Sequence, residues 1–135
     1  MTKYLVAYAA IALVMVALDL LWLGVIAKPL YQQGIGHLMS ERPNIPVAVL
    51  FYALYAAGLV VFTLALQSPE ATWSRTLLTS ALFGFFCYAT YDLTNLATLK
   101  GWPLGMSLAD MAWGVFVSTV SAAAGKAAFE RFPVM

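Results

Sequence analysis

Charge is what this chain has least of. Only 10% of its 135 residues are Asp, Glu, Lys or Arg, where soluble domains carry ~25%, so a water-solvated globular surface is excluded. The few charges nearly cancel to a formal +1, and no basic run stands anywhere, so nucleic acid is not an expected partner. The single cysteine, Cys87, excludes an internal disulfide. Set among Phe85, Phe86 and Tyr88, it reads as a small buried apolar residue. The single histidine, His37, lies in a long connection and reads as a solvated loop residue. No serine or cysteine is readably paired with it, which leaves a catalytic triad without support.

Apolar sequence fills the space that charge leaves: 63% of the residues are hydrophobic. Four segments, about residues 4–27, 47–67, 74–98 and 104–128, each reach the roughly 20 residues needed to cross a ~30 Å hydrocarbon core. The expected fold is an all-α membrane protein, a four-transmembrane-helix antiparallel bundle forming one domain over residues 1–135. The first segment is too long for a secretion signal and carries Asp19, so it reads as a retained helix. Prolines mark the boundaries. Pro29 is expected to close the first helix, Pro43 and Pro46 precede the second, Pro69 follows it, and Pro103 precedes the fourth. The long connection 28–46 predicts a short interfacial helix around Tyr31 to Met39, limited by Gly34 and Gly36. Lys3, Arg75, Lys126 and Arg131 fall at one face of such a bundle, and Lys28, Arg42 and Lys100 at the other. That small excess favours cytoplasmic termini.

The polar residues within the spans share a depth. With a rise of 1.5 Å per residue and alternating helix direction, Asp19, Asp92, Asp110, Tyr52 and Tyr55 all lie about 8 to 12 Å below one surface. They also share faces. Gly84, Tyr88, Asp92 and Asn95 follow one helical stripe with Tyr91 beside it, and Ser107, Asp110, Gly114, Ser118, Ser121 and Gly125 follow another with Trp113 beside it. Trp22 sits near Asp19 on the first helix. These positions predict a polar pocket of Asp19, Trp22, Tyr52, Tyr55, Tyr88, Tyr91, Asp92, Asn95, Asp110 and Trp113. No Lys or Arg lies at their depth, so three converging aspartates must share protons or hold a cation. Ionisable residues inside a membrane are functional by default, although polar side chains also serve as interhelical glue. Asp19-x-x-Trp22 and Asp110-x-x-Trp113 echo each other, as do the Tyr-Ala-x-Tyr runs at Tyr52/Tyr55 and Tyr88/Tyr91, a faint hint of internal duplication.

The stretches ALDLLWLG, FYALYAAG, YATYDLTNLATLKGWP and DMAWG resemble a family of bacterial predicted membrane proteins that carries only a domain-of-unknown-function label. Asp19, Trp22, Tyr88, Tyr91, Asp92, Asn95, Trp102, Pro103, Asp110, Trp113 and Gly114 match its signature positions. The resemblance covers nearly the whole chain and implies a four-helix bacterial inner-membrane protein. It implies no reaction and no cofactor.

The residues therefore favour binding or transport of a small ligand, or of a proton or cation, in a pocket open to one membrane face. A complete transport path through four helices would call for a homodimer. The alternatives are an intramembrane enzyme acting on a lipid or isoprenoid, a carboxylate-held Mg²⁺ or Ca²⁺, and a structural subunit. No metal-ligand set is assigned. The expected surroundings are the lipid bilayer and a small-molecule or lipid ligand.

Overall fold

The computed structural model describes residues 1–68 and 70–132. Among these, helix is the only regular structure. Helix α1 (Thr2–Leu21) runs on through a π-helical turn at Trp22–Ile26, α2 (Lys28–Ile35) is followed by a 3₁₀ turn at Gly36–Leu38, and α3 (Ile45–Val60) runs on through a second π turn at Val61–Ala65. The long helices α4 (Trp73–Thr98) and α5 (Leu104–Arg131) complete the chain.

Local chemistry explains most of the boundaries. Asn44 accepts the Val47 backbone N–H at 3.2 Å ahead of α3, with Pro46 in its first turn. The Thr72 hydroxyl accepts the Arg75 N–H at 3.3 Å ahead of α4, as capping side chains do. Gly101, at φ +71°, makes the left-handed turn between α4 and α5 that a side chain would disfavour. Pro29 opens α2 instead of closing the first helix: the π turn, sealed by the Ala27 N–H to Trp22 carbonyl bond at 2.7 Å, ends α1 at Ile26. The expected interfacial helix exists but begins earlier, at Lys28. Pro69 lies outside the described residues.

Three helical stretches have the length and apolarity of a membrane span: Thr2–Ile26, Ile45–Ala65 and Leu104–Arg131. The segment 74–98, read from sequence as an equivalent span, is not among them. Its helix is 26 residues long, but Arg75, Thr79, Thr90, Asp92 and Asn95 dilute its hydropathy.

The molecule is inside-out by the standards of a water-soluble domain. Leu13, Val25, Leu54, Leu78, Phe86 and Phe116 face outward, while Thr63, Thr76, Ser80, Ser107, Ser118 and Ser121 are fully buried. Outside lipid an apolar exterior would have no stabilising solvent, and a polar interior of small residues lets backbones approach closely. The approach is tightest between α4 and α5. A Cβ at Gly84 would fall on the Gly114 carbonyl and on Ser118, and one at Gly114 would fall on the Tyr88 ring. Gly125 admits Ile11 of α1 in the same way.

Around α5 the other helices arrange themselves end to end. Tyr4 packs on Phe129 with ring centroids 5.0 Å apart, and at the far end Trp22 stacks on Trp113. Helix α3 lies against α1, with Ile11, Met15, Ala56 and Leu59 in a shared apolar core. Helix α4 meets α3 chiefly near the second π turn, where Phe83 contacts Tyr55 and Phe62 at 5.2 and 5.7 Å. Toward the start of α3 and the end of α4 the two helices part, and the site occupies that gap.

Candidate functional site

The gap holds a cavity of about 910 Å³ whose wall is shared by α1, α2, α3, α4 and α5. Asp19 and Trp22 come from the end of α1, Tyr31 from α2, Tyr52 and Tyr55 from α3, Tyr88 and Tyr91 from α4, and Asp110 and Trp113 from α5. The rest of the wall includes Leu23, Ile35, Met39, Phe51 and Phe86. Among the described residues no lysine, arginine or histidine lines it. Its volume is that of a pocket for a drug-sized molecule.

Each of two carboxylates is held by aromatic donors. Asp19 accepts the Tyr52 hydroxyl at 2.6 Å on one oxygen and the Trp113 indole N–H at 2.7 Å on the other. Asp110 accepts the hydroxyl of Tyr31, which itself accepts the Trp22 indole N–H at 3.1 Å. The two indoles lie face to face, 4.5 Å apart and within 5° of parallel. The two Asp-x-x-Trp pairs therefore serve each other: the tryptophan of α5 holds the aspartate of α1, and the tryptophan of α1 reaches the aspartate of α5 through Tyr31. Such a chain of donors fixes side chains from four helices relative to one another. Burial first, then the bond to Asp110, raises the Tyr31 hydroxyl well above the ordinary tyrosine pKa.

Further from the floor, Tyr55 shares a hydrogen bond of 2.6 Å with Ser118. The Tyr88 hydroxyl has no hydrogen bond among the described residues. Tyr91, 52% exposed at the mouth, meets the buried Trp102 edge-on with centroids 5.8 Å apart.

Eight of the ten residues expected in the pocket line the cavity. Asp92 and Asn95 do not. Asp92 is wholly buried behind the wall beside Asp110, and neither of its carboxyl oxygens has a hydrogen-bond partner. Asn95, one turn further, is half-buried and makes no side-chain hydrogen bond. The three aspartates thus do not converge on one point, and no group of three or more His, Cys, Asp or Glu among the described residues could hold a metal ion. Cys87, expected to be buried, is exposed and lies at the cavity mouth. A lipid-facing position and a core position are both apolar in sequence, so the neighbouring phenylalanines gave no way to tell them apart.

Tyr31 is the member of the hydrogen-bonded network that the sequence did not single out. It sits in a connection, outside every span, and only the folding of α2 back over the cavity brings it to Asp110. Its own signal was a tyrosine sharing one face of an eight-residue helix with Ile35, one turn further on.

A family model described as "Predicted membrane protein (DUF2177)" matches residues 4–127. No curated protein and no solved structure matches the chain.

Proposed function

Because the chain belongs to the DUF2177 family of predicted membrane proteins, whose description names no activity, we propose that it is a four-transmembrane-helix antiparallel bundle that binds one amphipathic ligand taken from the surrounding bilayer. The observation that carries this reading is the shape and chemistry of the cleft. Its walls are apolar, its floor is the Asp19–Tyr52–Trp113 and Asp110–Tyr31–Trp22 network, and the apolar Leu23, Met39, Phe51 and Phe86 that line it are also exposed on the outside of the bundle. An exposed apolar edge in lipid admits an apolar chain, and a polar floor orients its head.

Helix α4 acts as the fourth span in this reading. Leu78, Leu82, Phe85, Phe86 and Leu93 are exposed along it, while its polar Thr76, Ser80 and Asp92 turn inward, the arrangement that lipid requires. Lys3, Arg75, Lys126 and Arg131 sit at the end that carries the termini, which supports a bacterial inner-membrane orientation with both termini in the cytoplasm. Binding is favoured over a lipid-modifying enzyme by the engagement of Asp19: both of its oxygens hold donors from the protein itself, which suits a fixed floor more than a group that exchanges a proton with substrate.

Photo-crosslinking tests the reading. A benzophenone amino acid in place of Tyr55, a buried residue that lines the cleft, is expected to yield lipid adducts in native membranes. The same group in place of Val117, fully buried and not among the residues that line the cleft, is expected to yield only adducts within the protein. Equal lipid adducts at both positions, or none at Tyr55, would reject a lipid-accessible cleft.

A further inference from the structure

We propose that the polar head of the bound ligand is a cation, an alkylated ammonium carried on an apolar chain. This rests on the cleft reading above and names the chemistry of its occupant.

Charge supplies the first argument. Asp19 receives two donors, one on each oxygen, and both donors are neutral side chains. Asp110 receives a neutral hydroxyl. With no basic residue among the described residues that line the cavity, the floor carries the formal negative charge of its carboxylates and nothing in the wall offsets it. An anionic head would be repelled there.

Hydrogen bonding supplies the second. Three of the four carboxylate oxygens of the floor already accept from Tyr31, Tyr52 and Trp113, so a neutral head that needs strong acceptors finds only the second Asp110 oxygen without a donor among the described residues. An alkylated ammonium needs none. It is held by the field of the carboxylates and by ring faces, whose quadrupole attracts a cation within about 6 Å. Trp22, Trp113, Tyr52, Tyr55, Tyr88 and Tyr91 supply those rings around one space, and Leu23, Phe51 and Phe86 are left for the chain.

The test uses the full-length protein in uncharged maltoside micelles and follows tryptophan fluorescence. Three probes of equal chain length are titrated: an alkyltrimethylammonium, its neutral isostere with carbon in place of nitrogen, and an alkylsulfonate. Saturation with the ammonium is expected at a concentration roughly tenfold or more below that of the isostere, and the sulfonate is expected to produce no saturable change. In Asp19→Asn and Asp110→Asn the ammonium should lose most of that preference while the isostere binds as before, which also reports that the cleft is intact. Equal binding of ammonium and isostere by the parent protein overturns the cationic head and leaves the cleft reading standing, whatever the variants do. Preference retained in both variants overturns the role of the carboxylates and with it the proposal. No saturable response to any of the three probes overturns both readings.

Discussion

Replacing Asp92 by Asn should stabilise the protein, whereas the same replacement at Asp19 should destabilise it. Asp92 is fully buried and neither oxygen has a partner. A buried polar group left in that state costs about 1–3 kcal/mol, and more if it is charged. The Asn variant keeps the size, removes the ionisable group and places two N–H donors beside the Asp110 carboxylate, so a gain of about 1–2 kcal/mol is expected. At Asp19 the arithmetic reverses. Its oxygens accept from Tyr52 at 2.6 Å and from Trp113 at 2.7 Å. An amide can accept only one of these and points an N–H at the other donor, a loss of about 1.5–3 kcal/mol. For a chain of this size, roughly 3–5 °C of Tm accompanies each kcal/mol. The two variants should therefore melt about 3–10 °C above and about 5–15 °C below the parent. Heating the detergent-solubilised proteins and measuring the monodisperse fraction that survives gives the comparison. Shifts of the same sign for both variants would refute the reasoning, since it turns on which carboxylate has donors.

Gly84→Ala should cost about 1–3 kcal/mol, because the new Cβ meets the Gly114 carbonyl and cannot swing aside. Gly24→Ala, with nothing within 4 Å of the new Cβ, should be neutral or slightly stabilising; parallel melting curves check both. Tyr31→Phe should lower the Tm through about 1–2 kcal/mol, since it strands the Trp22 N–H and removes the donor to Asp110. The Tyr31 hydroxyl is raised above its ordinary value of 10.0 by burial and then by Asp110. The unfolded tyrosine ionises first, so parent stability falls as pH rises past about 10. The Phe variant should lose stability less steeply there, and identical alkaline profiles would count against a buried Tyr31.

What could be read from the sequence was what depends on helical period and on depth. Ser107, Asp110, Gly114, Ser118, Ser121 and Gly125 fall on one face of α5 at a spacing fixed by 3.6 residues per turn, and all six are buried. Asp19, Tyr52 and Asp110 meet because equal distances from helix ends become equal depths once the helices pack. Rotation about each axis was less legible. Asp92 shares its depth with the floor yet points behind the wall, and Asn95 stops short of it, because the divergence of α3 from α4 is a tertiary outcome that no single helix encodes. Tyr31 escaped for a different reason: its position depends on how α2 folds back after Ala27, where the chain leaves helical geometry at φ −102°.

The exchange of partners between the two ends of the chain also constrains how the protein is made. Asp19 and Trp113 are 94 residues apart, which at ~5–20 residues per second of synthesis is a delay of roughly 5–19 s. During that interval the first helix has emerged with its carboxylate while the indole that holds it does not yet exist. Tyr52 arrives sooner and supplies the donor to one oxygen, but the second oxygen waits for the last helix. Until then an ionised Asp19 in hydrocarbon would carry an unmatched charge, so the nascent chain has reason to linger near the insertion machinery or the membrane surface. A ribosome halted before α5 should leave the first helix easily extracted, and release of the full chain should lock it in place.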